Sequence, residues 1–363
     1  MLSNKYKIHI KNYVVRPKTI KKYGDGSKMG GYGDDYDYST DNDVVKKTAK
    51  AYNVSHKRDY EETREVLPPP LNKILLTKAE FPIVIAVDVT GSMSTLPKLI
   101  FEKLCLLYNE VLYFLPEELK DTFEISFAAI GDAYTDRHPI QITDFGKGFE
   151  LDKNINSLYP EGGGGGQARE SYELTAYFYA KHCATPNVLR SPRPLFIFIG
   201  DEGYYSKVSR SHIMDLIGDK PKTDLISEEI FNDLKSKFDV YILRVKYGGG
   251  GEQGIHEMWK KALGPERVLM LTEPRRVVDT ILGIIAANVD RFDGFKERIE
   301  LRQTPEQVEE VYSSLDGLKV EDKSYMYHFQ ALKCPSCGSS LDKVPEHKKP
   351  KRCPVCSSLI VRI

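Results

Sequence analysis

Phe81-Pro82-Ile83-Val84-Ile85-Ala86-Val87-Asp88-Val89-Thr90-Gly91-Ser92 is the stretch on which the fold turns. From Phe81 to Val87 it is apolar without interruption, the pattern of a strand buried on both faces. Beyond it, Leu96, Ile100, Leu104, Leu107, Val111 and Phe114 recur at helical spacing, which predicts a helix over 96–115. A buried strand thus delivers one carboxylate and two hydroxyls to a sharp turn that opens a helix. In open α/β sheets, ligands bind just beyond the carboxyl ends of the strands. Hard oxygen donors at alternating positions suit Mg²⁺ or a similar hard cation. Gly91 lets the turn tighten so that the hydroxyls of Thr90 and Ser92 point at one centre.

Outward from this stretch, strand and helix patterns alternate from about residue 72 to 290. Strands are expected at 82–87, 123–130, 141–144, 194–200, 240–245 and 268–271. Helices are expected at 151–158, 170–182, 209–216, 227–238, 257–263 and 275–287. Such alternation implies a doubly wound, mostly parallel sheet with helices on both faces. Residues 132–140 are too few for a crossover helix, so the strand at 141–144 should be an antiparallel edge. Residues 1–71 are rich in Gly, Tyr and Lys and read as a partly disordered extension. Residues 291–330 read as a helical connector, with a capping box and an N1 proline in Thr304-Pro305-Glu306-Gln307.

A second buried strand, Leu195-Phe196-Ile197-Phe198-Ile199-Gly200, also ends on a carboxylate, Asp201. Between the two strands runs Gly162 to Gly166, a loop able to approach an ion with its backbone alone. Asp132 closes another strand and reads as a turn aspartate. Glu202 is read in the same way.

With these residues in view, IVIAVDVTGSMS resembles the metal-ion-dependent adhesion site of von Willebrand factor A (vWA) domains, whose pattern is Asp-x-Ser-x-Ser. Here it reads Asp88, Thr90 and Ser92. The family's later aspartate matches Asp201. Its intervening threonine has no counterpart after the glycine run, where Gln167 and Glu170 are the nearest candidates, and Gln167 is taken as the ligand. The resemblance covers about residues 78–290, and AAIGD, EGGGGGQARESYEL and FIGDE are similar to a prokaryotic and phage subgroup. It implies a non-enzymatic protein that holds Mg²⁺ or another divalent cation. An Asp or Glu of a protein partner would fill the cation's open position.

The chain has 363 residues and six cysteines. Cys334-Pro-Ser-Cys337 and Cys353-Pro-Val-Cys356 place four thiolates on two tight turns, the pattern of a tetrahedral Zn²⁺ site. Residues 331–363 resemble a zinc ribbon. So small a module has too little core to fold without its metal. Cys105 and Cys183 fall on helical patterns and read as small core residues.

Lys plus Arg and Asp plus Glu number 52 each. That balance gives no global argument for nucleic acid or a membrane surface. No signal-peptide core or membrane-spanning run is visible, so the chain reads as soluble and cytoplasmic. An alternative is a nucleic-acid-associated factor using the ribbon, its basic segment Lys348-Lys349-Pro350-Lys351-Arg352 and the Lys-rich N-terminus. A metal-dependent hydrolase with Asp88 as nucleophile is disfavoured. A second aspartate two positions on is replaced by Thr90, and none of the eight histidines sits in a metal motif.

Overall fold

The computed structural model describes residues 66–163, 166, 168–188, 192–248 and 250–319, with the backbone of 351–352 and 359–360. Gln167, the four paired cysteines and most of the N-terminal extension lie outside the described residues.

Six strands form the main sheet: β1 (Phe81–Asp88), β2 (Phe123–Ile130), β3 (Ile140–Ile142), β4 (Leu195–Gly200), β5 (Asp239–Arg244) and β6 (Val268–Met270). Their order is β6-β5-β4-β1-β2-β3. All neighbours are parallel except β2 and β3. The expected antiparallel edge is therefore present, and the six strands fall where the apolar runs placed them.

Alternation along the central strands shows why those runs lack polar interruptions. In β1, Ile83, Ile85 and Val87 enter one apolar cluster, while Val84 and Ala86 enter the other. In β4, Leu195, Ile197 and Ile199 join the first cluster, and Phe196 and Phe198 the second. The register Ile83↔Leu195 and Val84↔Phe196 stacks like faces together. Every residue of both strands is buried. Each large side chain so enclosed contributes roughly 1.5–3 kcal/mol.

Helices α1 (Leu96–Leu104), α2 (Leu107–Phe114) and α3 (Phe149–Ser157) cover the first face. Helices α4 (Tyr172–His182), α5 (Ser227–Lys237) and α6 (Glu252–Leu263) cover the second. Helix α7 (Val277–Asn288) returns to the first face and is buried along its whole length, as its nearly all-round apolar sequence demands. The single helix expected over 96–115 is broken. Leu106 N–H bonds to the Lys103 carbonyl, a tight i→i−3 turn that separates α1 from α2. Leu104 and Leu107 on either side of the turn still enter the same cluster.

The expected connector supplies two helices, α8 (Phe292–Arg302) and α9 (Pro305–Ser314). The capping box at Thr304 and Gln307 is formed. Phe295, Ile299, Val308, Val311 and Leu315 belong to the same apolar cluster as the sheet. Buried charge also ties α8 down. Glu110 on α2 accepts from Arg302 and from Arg298 (3.4 Å), and Asp279 on α7 accepts from Arg302 (3.2 Å) and Gln303 (3.2 Å). Cys105 and Cys183 are both buried, and burial pushes the Cys183 thiol up to about 12. No helix among the described residues is long and apolar enough to cross a membrane.

Candidate metal centre

From β1 the chain passes to β2 and β3 on one side, then returns to β4 on the other. The winding therefore reverses between β1 and β4, the point where open α/β sheets form their ligand crevice. Asp88 is the last residue of β1, and Asp201 directly follows β4.

The turn after β1 brings the sequence-predicted donors together. Asp88 Oδ1 accepts from Thr90 N–H (2.9 Å) and from Thr90 Oγ1 (2.6 Å). Residues Gly91–Met93 form one 3₁₀ turn. Across its start, Thr90 Oγ1 and Ser92 Oγ stand 3.3 Å apart, and Ser92 Oγ donates to Asp201 Oδ1 at 3.0 Å. Asp88, Thr90, Ser92 and Asp201 thus form one continuous chain of oxygens across the two strand ends. Three of them are buried, and Ser92 is exposed.

Glycine backbone closes one side. Gly91 N–H bonds to the Gly163 carbonyl (2.5 Å), and Gly162 N–H to the Val89 carbonyl (3.0 Å). A Cβ on Gly91 would stand 3.0 Å from the carbonyl oxygens of both Gly162 and Gly163, so a side chain there would push the glycine loop off the turn.

Sequence reasoning missed Tyr172. Its phenol donates to Asp88 Oδ2 at 2.6 Å. The ring is buried and meets Phe198 and Trp259 edge-on, at 5.8 and 5.1 Å between centroids. Arg244 was missed too. It is fully buried, donates to the Asp201 carbonyl at 2.8 Å, and pairs with Glu252 through both terminal nitrogens (2.7 and 3.1 Å). Glu252 in turn accepts from Tyr247 N–H at 2.9 Å. Asp201 is thereby anchored to β5 and to the start of α6. Neither partnership shows in the sequence, because Tyr172 acts across 84 residues and Arg244 across 43.

Of the two candidates for the unfilled family position, Gln167 lies outside the described residues, and Glu170 lies beside the site. Glu170 is buried, and its Oε2 has no hydrogen-bond partner. The charges of Asp88 and Glu202 act on it, and its carboxyl is within hydrogen-bonding reach of Glu202, which also reaches Ser92. Asp132 lies beyond the end of β2 on the same rim. It accepts from Tyr134 N–H (3.0 Å), Thr135 Oγ1 (3.1 Å) and Tyr205 Oη (3.1 Å), the partners of a turn-forming aspartate.

So many carboxylates out of water are costly unless something cationic is shared among them. Burial pushes Asp88 up to about 7, and the Asp201 charge adds to the rise. Burial pushes Asp201 up to about 6, against the lowering effect of Ser92. Glu170 is raised further, by burial first and then by the Asp88 and Glu202 charges. Each group holds its proton more tightly folded than unfolded. For Asp88 and Asp201 the stabilising effect is complete below the ordinary carboxyl value of 3.8 and is lost as pH rises through about 6 to about 7, while for Glu170 the loss continues toward about 11. Chelator-treated protein should therefore melt at falling temperatures between about pH 5 and about pH 7.5. A divalent cation should reverse the fall at the upper end, because it favours the ionised carboxylates. Scanning calorimetry across that range checks this; a midpoint that rises with pH without cation would contradict it.

The donors fit a hard cation in kind. Two carboxylates and two hydroxyls converge, and a buried carboxylate oxygen beside them has no partner. Among the described residues, no three His, Cys, Asp or Glu side chains gather closely enough to cage a metal by themselves. A cation held here would need the hydroxyls of Thr90 and Ser92 as well as the two carboxylates.

No protein-family model and no curated protein matches the chain. Solved structures that match include the pilus adhesin SpaC from Lactobacillus rhamnosus GG in its open conformation. It is 10% identical over 60% of this chain, with a TM-score of 0.44. Proximal thread matrix protein 1 from the mussel byssus is 10% identical over 59% of this chain, with a TM-score of 0.39. The chain spans 31% of the adhesin and 49% of the thread protein. Likeness at this level assigns no function.

Proposed function

We propose that this is a non-enzymatic interaction protein of the vWA type, in which Asp88, Thr90, Ser92 and Asp201 hold Mg²⁺ or another hard divalent cation. Bound there, the cation would offer a directional attachment point for an Asp or Glu of a protein partner. One observation carries the reading: the unbroken Asp88–Thr90–Ser92–Asp201 chain of oxygens at the point where the sheet reverses its winding. Tyr172 holds the Asp88 carboxylate and Arg244 holds the Asp201 backbone carbonyl, leaving the exposed Ser92 side as the approach.

The test is affinity capture of partners by the full chain, with divalent cation, with chelator, and with Asp88→Asn. Supporting evidence is a protein retained only by the wild type with cation. A partner set indifferent to both chelator and substitution would refute the reading.

The cysteine module enters the proposal as a Zn²⁺ ribbon held by Cys334, Cys337, Cys353 and Cys356, serving as a second interaction module for protein or nucleic acid. Support comes from the short antiparallel pair Lys351–Arg352 and Leu359–Ile360, in register Lys351↔Ile360, which brackets Cys353 and Cys356 in the sequence. Cys353→Ser should abolish stoichiometric zinc and leave the α/β domain's unfolding transition unchanged. Zinc analysis with calorimetry reads both. Full zinc retention in Cys353→Ser would rule the site out.

A further inference from the structure

Tyr134, Tyr205 and His212 come from separate segments and meet on the rim beyond β2. The Tyr134 ring stands 4.6 Å from Tyr205 at 51° and 4.5 Å from His212 at 75°, between centroids. Tyr134 nevertheless stays 56% exposed and enters neither apolar cluster, so core packing does not account for the ring. A buried carboxylate backs the group. Asp132 accepts from Tyr134 N–H (3.0 Å), Thr135 Oγ1 (3.1 Å) and Tyr205 Oη (3.1 Å). All three donors are neutral, so its negative charge stays uncancelled beside the rings. Asp224 is fixed by Arg210 N–H (2.9 Å), two residues before His212. Burial lowers His212, against the charges of Asp132, Asp215 and Asp224, so near neutral pH the imidazole adds an aromatic face and no positive charge. The group also adjoins the crevice. Tyr134 lies on a turn closed by Asp136 N–H to the Asp132 carbonyl (2.8 Å) and by Asp132 N–H to Asp136 Oδ2 (2.8 Å). The Asp136 carboxylate abuts Gly163 and leaves no space there for a Cβ. Gly163 in turn accepts from Gly91 N–H beside Ser92 (2.5 Å).

We propose that Tyr134, Tyr205 and His212 form a docking point for an arginine side chain of a protein partner. Aromatic faces attract cations within about 6 Å of the ring centroid. A guanidinium is planar and more weakly hydrated than an ammonium, so it stacks on exposed rings at less cost than lysine. Asp132 and Asp224 supply the complementary charge. The Tyr205 phenol, donating to the Asp132 carboxylate, is polarised in the sense that enriches its ring in electrons. This contact involves no metal ion, so it goes beyond the metal reading and does not depend on it. Where both hold, one partner surface would present an acidic and a basic side chain to neighbouring points of the same rim.

The experiment is an NMR titration of Nα-acetyl-arginine amide into the full chain carrying ring-¹³C tyrosine, with chelator present. Nα-acetyl-citrulline amide, the neutral isostere, is the control. The Tyr134 and Tyr205 signals are identified by their loss in Tyr134→Phe and Tyr205→Phe. Expected are saturable shifts of both signals, with the citrulline compound binding roughly 3–10-fold more weakly. Tyr134→Leu keeps apolar bulk but removes the ring. It should weaken the response of Tyr205 to the arginine compound by a similar factor, and Asp88→Asn should leave the response unchanged. The remaining tyrosine signals report that each variant is folded. Equal binding of the two compounds, no shift at Tyr134 and Tyr205, or an unchanged response in Tyr134→Leu would overturn the inference. Loss of the response in Asp88→Asn would also overturn it, by placing the guanidinium at the Asp88 and Asp201 carboxylates instead.

Discussion

Gly200→Ala should be among the most damaging single-atom additions in the protein. A Cβ there would lie 1.8 Å from Tyr172 Oη, 2.9 Å from Tyr172 Cζ and 2.8 Å from Asp88 Cβ. None of the three can easily retreat. Asp88 is fixed in a strand paired on both sides, and Tyr172 is enclosed by Phe198 and Trp259. Overpacking of a well-filled core costs about 1–3 kcal/mol, occasionally more, and a backbone-bound site such as this belongs at the upper end. For a domain of this size, each kcal/mol lowers the melting temperature by roughly 2–4 °C. The substitution should also break the Tyr172–Asp88 hydrogen bond and weaken cation binding. The double variant Gly200→Ala with Tyr172→Phe should recover part of the loss, since the closest clash is with the hydroxyl. Thermal unfolding of the two single variants and the double completes the cycle. A Gly200→Ala protein as stable as wild type would mean that β1, β4 and α4 do not meet as described.

Asp88→Asn should act in opposite directions with and without cation. In chelated protein near neutral pH it removes a carboxyl that burial and Asp201 have pushed up to about 7. The relieved repulsion should raise stability, with a ceiling on the order of a few kcal/mol. The amide oxygen can still accept from Thr90, so the turn is kept. Added cation should then have no further effect. In wild type, saturation at 100 times the dissociation constant stabilises by about 2.7 kcal/mol. Calorimetry with and without cation separates the two effects. An Asp88→Asn protein less stable than wild type under chelation, yet still stabilised by cation, would assign Asp88 a purely structural role.

The legible parts of this fold are those where burial on both faces leaves no room for polar residues. Phe81–Val87 and Leu195–Gly200 announced two central strands, and the carboxylates at their ends announced the crevice. The four described donors chosen from sequence are the four that converge. What stayed hidden depends on partners far along the chain. In α8, Phe292, Phe295 and Ile299 are diluted by charged neighbours such as Arg298 and Arg302. Their role is apparent only once Glu110 and Asp279 stand opposite. Tyr172 reads in sequence as another aromatic on an aromatic-rich helix. Its phenol acquires meaning only where Gly200 lets it reach Asp88. Glu170 and Gln167 were equally near the glycine run by count. Burial and an unpartnered oxygen, which no spacing reveals, bring Glu170 forward.

The most direct test of the central claim is an anomalous difference map from crystals of the full chain soaked in Mn²⁺, which favours oxygen ligands. The account predicts a peak enclosed by Asp88, Thr90, Ser92 and Asp201, absent from Asp88→Asn crystals. A map with no peak there, in crystals where the crevice is open to solvent, would contradict it.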